Sequence, residues 1–242
     1  MKVFLLVRRR APSPEGLEPE FARYEVEAEP YERILDVLVR VSRRDDPTLA
    51  FRRSCGHGVC GSDAMIINGR ERLACKTLIH DVADKDGDVV IVEPLRNLPV
   101  RKDLVVDQEA FFGATRSVKP YLIAPEAEAG KERPQTSRER AAYENATNCI
   151  LCAACFSACP VLRAGKPFAG PAAIAQAFRF NEDSRDRGFE ERLEALDKPD
   201  GIWPCESRAE CTKVCPRGLQ VARQINDTKR RITRYKSLHQ KS

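Results

Sequence analysis

The sequence predicts an α+β protein in which a β-rich half, residues 1–105, precedes a helical half, residues 106–242. Three observations indicate this division. Hydrophobic residues alternate with polar ones in the first half, as in half-buried strands. In the second half they recur at helical spacing. The ten cysteines form separate clusters in the two halves. We therefore expect two domains with a boundary near residue 105.

The first half carries the signals of a small sheet crossed by one helix. Period-two alternation and short apolar runs predict strands at 3–7, 24–28, 65–67, 72–74 and 89–92. A Pro- and Gly-rich stretch at 11–17 predicts the loop of the first hairpin. The dipeptide of Asn68 and Gly69 is a strong signal for a second hairpin. Apolar residues at helical spacing across 31–41 predict an amphipathic helix.

In the second half, several prolines mark a connector that precedes the predicted helices. Pro120, Pro125 and Pro134, with charges between them, mark the connector. Pro171, directly after a glycine, is placed to start a helix. Residues 218–235 predict a last helix with a basic outer face.

Composition restricts the function. The 242 residues are 42% hydrophobic and 32% charged, and the net charge of +5 suits an anionic membrane surface or an acidic partner. This charge does not indicate a nucleic-acid partner. No apolar run approaches the roughly 18 residues of a membrane span. The N-terminus lacks the features of a secretory signal. Ten cysteines in such a chain indicate metal ligands rather than a disulfide framework.

Two cysteine runs in the second half share one register. The first reads Cys149-x2-Cys152-x2-Cys155-x3-Cys159-Pro160, which is the bacterial ferredoxin pattern. The second reads Cys205-x2-Arg208-x2-Cys211-x3-Cys215-Pro216, with arginine at the second cysteine position. In this pattern the fourth cysteine of a run ligates the cluster of the other run. This rule predicts that Cys149, Cys152, Cys155 and Cys215 hold a [4Fe–4S] cluster.

The other set has only three thiolates, Cys159, Cys205 and Cys211. Arg208 cannot complete it, because a guanidinium offers no lone pair to iron. We therefore predict a [3Fe–4S] cluster at this site. The alternative is a [4Fe–4S] cluster with one non-protein ligand. Structural zinc would require separate four-ligand sets, which the interleaved register does not supply.

The first half contains Cys55-x4-Cys60-x2-Asp63 and, further on, Cys75. This spacing is the plant-type [2Fe–2S] pattern with aspartate at the third cysteine position. A carboxylate oxygen is a competent iron ligand, so Asp63 is predicted to complete the set. Water or another side chain is the alternative.

A Rieske centre is a rival interpretation of the same loop. The spacing of Cys55, His57 and Cys60 resembles the first Rieske box. The second box would need His80, whose distance from Cys75 does not suit it. We expect His57 to be an exposed loop residue that tunes the cluster by hydrogen bonding.

A plant-type motif followed by bacterial-type motifs, with one cysteine missing from the last run, resembles the iron–sulfur subunit of succinate dehydrogenase and fumarate reductase. Further similar stretches lie at 51–63, 93–95, 100–107, 170–173 and 179–186. The resemblance implies an N-terminal β-grasp domain like plant-type ferredoxins, residues 1–105. It also implies an all-helical domain like bacterial ferredoxins, residues 106–242.

The resemblance also implies a function. Electrons from the FAD of a flavoprotein subunit would pass through the [2Fe–2S], [4Fe–4S] and [3Fe–4S] clusters to a membrane quinone. The chain would lie at the cytoplasmic face of the cell membrane, bound peripherally to an integral anchor subunit. The same relay run in reverse, as a quinol:fumarate reductase, is an alternative. A soluble multi-cluster carrier and a wire subunit of another reductase are others.

The sequence departs from the family near the quinone end. The aromatic pair that follows the first run in many members is absent, so only Pro160 is carried over as a quinone-side residue. Trp203 is a candidate substitute. Glu206 and Arg208 place charge beside the last cluster, where a surface ion pair is the expected role. Basic residues from Lys229 to Lys241 are a candidate membrane-facing surface, and a solvated helix face is the alternative.

Overall fold

The computed structural model describes residues 1–9, 20–125 and 131–239. The predicted hairpin loop at 11–17 and the basic residue Lys241 lie outside these ranges.

By packing, the chain forms two units. The first consists of Met1–Gln108 and Ile150–Ser157, and the second of Glu109–Cys149 and Ala158–Ser242. A segment of the first bacterial-type run thus packs with the N-terminal sheet. The predicted domain boundary near residue 105 stays a prediction.

The first unit contains a five-stranded mixed sheet. Its strands are β1 (Lys2–Arg9), β2 (Glu20–Glu27), β3 (Ala64–Ile67), β4 (Arg70–Leu73) and β5 (Val89–Glu93). Their order is β2-β1-β5-β3-β4, with β1 antiparallel to β2 and parallel to β5. Val3, Leu5 and Val7 are fully buried, as their alternation predicted.

One helix, α1 (Ile34–Arg44), packs its apolar stripe into the core of this unit. It begins later than the predicted residue 31. Its first amides are bound elsewhere, since Ile34 N donates to Thr77 O at 2.9 Å and Leu35 N donates to Ala74 O at 3.1 Å. The helix start is therefore tied to the segment that carries Cys75.

The second hairpin forms as the sequence predicted. Asn68 and Gly69 join β3 to β4 with φ of 47° and 77°, the left-handed conformations that this turn requires. Asp63 directly precedes β3, and Cys75 is the second residue after the end of β4. The hairpin therefore returns the chain from one predicted iron ligand to another.

Two short strands were not predicted. β6 (Val100–Lys102) and β7 (Val105–Val106) pair antiparallel. Their turn contains Asp103, which is almost fully buried and accepts a hydrogen bond from Ala50 N at 2.8 Å. The hydrogen bond from Ala50, which is distant in the sequence, stabilises the turn between β6 and β7, whose residues show no strand pattern.

The remaining helices are α2 (Glu109–Ser117), α3 (Ser137–Ala141), α4 (Ala154–Ser157), α5 (Pro160–Arg163), α6 (Pro171–Asn181), α7 (Phe189–Leu196), α8 (Glu210–Lys213) and α9 (Val221–His239). All but α4 belong to the second unit, where α6 and α9 pack against each other. Helix α6 starts at Pro171, as predicted. Helix α9 buries Val221, Ile225 and Ile232. In the described ranges, no helix combines the length and the apolar character needed to cross a membrane.

A buried ion pair stabilises the second unit. Arg192 is fully buried, and its Nη1 lies 2.7 Å from Oδ1 of the buried Asp186. Its Nη2 donates to Tyr121 O at 2.8 Å. Burial raises the pKa of Asp186, but hydrogen bonds from Arg192 and from backbone amides bring it below its ordinary value overall. The stability from this pair is therefore lost as the pH falls through the lowered pKa.

Replacing Arg192 with methionine is expected to lower the free energy of unfolding by about 3–5 kcal/mol, because the carboxylate of Asp186 would remain buried without a cation beside it. Urea denaturation followed by the fluorescence of Trp203, the chain's single tryptophan, measures this loss. Arg223→Ala is the control. Its side chain is 79% exposed, so the change should stay within about 0.5 kcal/mol. Equal midpoints for the two variants would contradict the prediction.

Candidate metal centres

The first candidate centre is a loop of the first unit that folds around its own thiols. Cys60 N donates to Cys55 Sγ at 3.4 Å, and Cys55 N donates to Cys60 Sγ at 3.5 Å. His57 N also donates to Cys55 Sγ, at 3.5 Å. The backbone amide of His57, the side chain of Cys60 and the backbone amides of Val59 and Cys60 lower the pKa of Cys55 to about 6. Amides directed at sulfur stabilise the negative charge of an iron-bound thiolate.

Asp63 lies inside this centre. Its side chain is 2% exposed, and its Oδ2 accepts a hydrogen bond from Cys75 N at 2.5 Å. Its Oδ1 is buried and has no hydrogen-bond partner. A buried carboxylate oxygen without a partner is costly unless something outside the chain binds it. The carboxylate thus has one oxygen available for the iron ligation that the sequence predicted.

Cys75 completes the set of four. Its thiol is buried, and burial together with the neighbouring Asp63 raises its pKa to about 12. A thiol in this position becomes a thiolate only when a cation displaces its proton, as iron does on binding. The charge of Cys55 also contributes to the raised pKa of Cys75, so the two pairs of predicted ligands lie near each other and suit the predicted [2Fe–2S] cluster.

The histidines do not form a second Rieske pair. His57 is exposed, and its Nδ1 lies 2.5 Å from the backbone oxygen of Cys55. His80 lies edge-on to the ring of Tyr31, with 5.4 Å between ring centroids. His57 is thus exposed, as the sequence predicted, and its ring contacts the backbone of Cys55, whereas the ring of His80 contacts Tyr31.

The third candidate centre is a partly open pocket in the second unit, and its lining includes Cys159, Cys205 and Cys211. Burial raises the pKa of Cys211 to about 12, and the nearby Cys205 and Cys159 add to the shift. The three thiols therefore lie close enough together for their charges to affect one another. Pro160, the predicted quinone-side residue, lines the same cavity.

The backbone of the two cysteine runs repeats. Leu151 and Ala153, at the third and fifth positions of the first run, have φ of 50° and 63°. Ser207 and Ala209, at the same positions of the second, have φ of 57° and 61°. Non-glycine residues seldom adopt this conformation. In both runs a four-residue helix, α4 or α8, then occupies positions six to nine. The two loops therefore have one conformation.

Arg208 occupies the second cysteine position of this shared loop, where the first run has Cys152. Cys152 is buried, whereas the Arg208 side chain is 68% exposed and its Nε lies 3.4 Å from Oε2 of Glu206. This is the surface ion pair that the sequence predicted. Arg208 also lines the cavity of the three cysteines, but its guanidinium has no lone pair for iron and supplies no fourth ligand.

The four residues predicted for the second centre are divided between the units. Cys152 and Cys155 belong to the first unit, and Cys149 and Cys215 to the second. Cys152 is buried, and the other three are half-buried. In the second unit, Leu219 N donates to Cys215 Sγ at 3.4 Å.

In the ranges that the structure describes, no three His, Cys, Asp or Glu side chains converge as they would around a single metal ion. A cluster requires a wider arrangement, because its ligands bind different irons. The interleaved spacing of the two cysteine runs favours clusters over mononuclear zinc.

Sequence reasoning missed two residues beside these centres. Lys229 Nζ donates to Cys205 O at 2.8 Å, which places a cation at the third centre. Gly61 lies against Cys152 within the first unit. No sequence motif predicts either contact, since each joins segments that are distant in the sequence. Trp203 is 38% exposed, and its Nε1 donates to Asp197 Oδ1 at 2.8 Å, so it is not a core residue.

Comparisons with known proteins agree with this geometry. A family described as "2Fe-2S iron-sulfur cluster binding domain" matches residues 4–113. A family described as "4Fe-4S dicluster domain" matches residues 145–219. The two matches cover the N-terminal loop and both cysteine runs of the second half.

Curated relatives match over most of their length. The fumarate reductase iron-sulfur subunit of Mycobacterium tuberculosis is 42% identical over 224 residues, 91% of this chain and 89% of the relative. The succinate dehydrogenase iron-sulfur subunit of Coxiella burnetii is 42% identical over 184 residues, 76% of this chain and 77% of the relative.

A solved structure shares the whole fold. A chain of the Mycobacterium smegmatis Sdh1 complex in the apo form aligns with a TM-score of 0.85 and 28% identity, covering 98% of this chain and 97% of that one. The predicted α+β architecture, a sheet-containing ferredoxin-like domain followed by a helical one, is confirmed. The chain belongs to the family of iron–sulfur subunits of succinate dehydrogenase and fumarate reductase.

Proposed function

We propose that this iron–sulfur subunit carries electrons through three clusters between a flavoprotein subunit with FAD and a quinone at the membrane. The first cluster, [2Fe–2S], is held by Cys55, Cys60, Asp63 and Cys75. The second, [4Fe–4S], is held by Cys149, Cys152, Cys155 and Cys215. The third, [3Fe–4S], is held by Cys159, Cys205 and Cys211.

The main support for the proposal is a comparison of two loops with matching backbones. The second loop has arginine where the first has its second cysteine. Arg208 stands where Cys152 stands in the first run, and its side chain is 68% exposed and pairs with Glu206. The adjoining cavity is lined by three thiols. Three thiolates match a cube from which one iron is missing, so the two bacterial-type sites are expected to hold different clusters.

The protein's part in the reaction is to hold and tune its cofactors. The clusters, when bound, accept and release single electrons. The chain supplies thiolates, directs the amides of His57 and Cys60 at Cys55, and keeps Asp63 and Cys75 away from water. Under this proposal no residue of the chain needs to act as an acid, base or nucleophile on succinate, because the cofactors carry the chemistry.

The partners and direction are part of the proposal. The curated relatives are named as subunits of both succinate dehydrogenase and fumarate reductase. We propose succinate oxidation with a membrane quinone as acceptor, and keep fumarate reduction by the reverse route as the second candidate. Pro160, beside Cys159 in the cavity of the third centre, is the proposed quinone-side residue. The subunit is proposed to bind an integral anchor from the cytoplasmic face.

Low-temperature electron paramagnetic resonance of the purified complex tests the cluster assignment. A three-iron signal is expected in the air-oxidised sample, and two-iron and four-iron signals are expected after reduction with dithionite. An oxidised sample without a signal, together with two four-iron signals on reduction, would overturn the assignment. A homogeneous chain that purifies alone with all three signals would favour a soluble carrier instead.

The basic face of α9 provides a test of membrane attachment. Arg230 is 74% exposed and Arg234 is exposed, whereas Arg231 is bound to Glu182 at 2.9 Å. Replacing all three with glutamate is expected to weaken binding to the anchor and membrane, since each basic residue near an anionic surface contributes about 1 kcal/mol. Co-purification of the anchor with the variant measures the loss.

Two controls separate surface charge from structure. Arg230→Glu with Arg234→Glu leaves the Arg231–Glu182 pair intact and should retain most of the effect. Arg43→Glu with Arg44→Glu makes an equal charge change at two exposed positions of α1 and should have none. Unchanged co-purification of the triple variant would rule out a membrane role for this face.

A further inference from the structure

A close contact joins the loop of the first centre to a ligand of the second. Gly61 follows Cys60 directly and has a φ of +68°. A Cβ placed on Gly61 would lie 2.7 Å from Cys152 Cβ and 2.9 Å from Cys152 Cα. It would also lie 3.1 Å from the backbone oxygen of Ile150. The two segments therefore touch, and they do so because residue 61 has no side chain.

The segment that carries Cys152 and Cys155 is held in the first unit by its other end. Asn97 Nδ2 donates to the backbone oxygens of Phe156 and Ser157, each at 2.9 Å. These carbonyls lie at the end of α4, and the last carbonyls of a helix generally find partners outside it. The amide of Asn97 thus caps the helix that follows the loop.

A buried hydroxyl adds a second attachment. Ser157 Oγ donates to Glu71 Oε1 at 2.8 Å and accepts from Arg96 N at 2.9 Å. Glu71 is 6% exposed and Ser157 is fully buried. A buried carboxylate and hydroxyl that satisfy each other resist separation, because either would be costly alone. Ile150–Ser157 is therefore fixed at both ends, by packing at Gly61 and by hydrogen bonds at Ser157.

We propose that the contact between Gly61 and Cys152 is the path by which electrons pass between the first and second clusters. Gly61 acts as a positioning residue whose missing side chain sets the length of this path. The inference rests on the proposed ligand sets, in which Cys60 binds the first cluster and Cys152 the second. One electron leaves the first cluster, which is oxidised, and enters the second, which is reduced. No bond to hydrogen forms or breaks.

The contact has little freedom to adjust. The atoms that a side chain at 61 would meet are the backbone and Cβ of Cys152, not the end of a flexible side chain. A methyl group there must push the loops apart, and protein interiors transmit such strain rather than absorb it. Electron transfer slows as the gap between donor and acceptor widens, so a small displacement has a measurable kinetic effect.

The loop itself provides a matched control. Gly56 has a φ of +70°, and nothing lies within 4 Å of a Cβ placed on it. Gly56→Ala and Gly61→Ala therefore introduce the same methyl group and nearly the same backbone strain within one loop. Only Gly61→Ala adds the clash with Cys152. A difference between the two variants isolates the contact from the conformational cost.

The experiment uses the whole complex, wild type and both variants, with each cluster first quantified by paramagnetic resonance. For Gly61→Ala we expect a several-fold slower reduction of the second cluster by the first in rapid-freeze kinetics. We also expect a weaker magnetic interaction between the two reduced clusters. Amides of Ile150–Ser157 should exchange with solvent faster. Gly56→Ala should match the wild type in all three measurements.

The outcomes separate this inference from the proposed function. Absence of the first or second cluster from the wild type would overturn both. Normal cluster content with unchanged rate and magnetic interaction in Gly61→Ala, or equal slowing in both variants, would overturn the inference alone.

A second variant tests the inference if the complex that carries Gly61→Ala assembles poorly. Asn97→Gly removes the amide that caps α4, tolerates the residue's φ of 62°, and leaves the Cys60 loop untouched. Faster amide exchange of Ile150–Ser157 and slower transfer between the clusters are expected. Wild-type transfer despite faster exchange would contradict the inference.

Discussion

Replacing Arg208 with cysteine is expected to convert the third centre from a three-iron to a four-iron cluster. The three-iron signal of the oxidised complex should disappear, a second four-iron signal should arise on reduction, and the iron content should rise by one atom per chain. Electron delivery to quinone should slow strongly, because cluster type is one of the main determinants of the reduction potential.

This expectation follows from the backbone rather than from the side chain. Ser207 and Ala209 adopt the left-handed conformations of Leu151 and Ala153, so the second loop is already shaped like one with a cysteine at its second position. Arg208 is mostly exposed and pairs only with surface glutamate in the described contacts. Its removal should change the free energy of unfolding by no more than about 0.5 kcal/mol.

Arg208→Ala is the control, since it removes the ion pair without offering a thiolate. It should keep the three-iron signal and the wild-type iron content. If Arg208→Cys also keeps the three-iron signal, the cavity does not admit a fourth iron, and its shape rather than its ligand count determines the cluster.

The two kinds of cluster domain could be predicted from the sequence because cluster chemistry dictates the spacing of cysteines. Cysteines two residues apart, with a proline after the fourth, have few structural explanations other than a cluster loop. The hairpin at Asn68 and Gly69 was predictable for a similar reason, since its turn needs residues that tolerate positive φ. Such features are local, and the residues that form them are adjacent in the chain.

Other features depend on partners that are remote in the sequence. The strands β6 and β7 surround Asp103, whose carboxylate binds Ala50 N. The segment Ile150–Ser157 packs with the first unit because Asn97 and Glu71 bind it. Neither residue belongs to a motif. A pattern along the chain cannot predict such contacts, since only folding brings the groups together.

The predicted bounds of α1 failed for a related reason. Apolar spacing indicated a start near 31, but the amides of Ile34 and Leu35 bind carbonyls of Thr77 and Ala74. Tyr31 remains mostly exposed. Periodicity identifies the face that is buried, whereas the first residue of a helix depends on where its free amides find acceptors.

Replacing Asp63 with alanine is expected to abolish the first cluster. The change removes the buried oxygen that has no partner in the chain, which is the proposed iron ligand. It also leaves Cys75 N without its acceptor, which costs about 1–3 kcal/mol. The two-iron signal of the reduced complex should be lost, while the three-iron and four-iron signals remain.

Asn and Cys at the same position separate ligation from hydrogen bonding. Asp63→Asn retains an oxygen for Cys75 N, but its other atom is then an NH₂ group, which has no lone pair for iron. This variant should lose the cluster although it keeps the hydrogen bond. Asp63→Cys supplies a thiolate, the usual ligand at this position of the plant-type pattern, and should retain the cluster with an altered reduced spectrum.

The order of cluster content is therefore decisive. Ligation by Asp63 predicts that wild type and Asp63→Cys are filled, and that Asp63→Asn and Asp63→Ala are empty, by iron and acid-labile sulfide analysis with the two-iron signal. A purely structural carboxylate predicts a different order, in which Asp63→Asn is filled and Asp63→Cys is impaired, because a thiol replaces the hydrogen-bond acceptor of Cys75 N poorly. The asparagine variant thus distinguishes an iron ligand from a loop-stabilising residue, since it changes the one oxygen that the fold leaves without a partner.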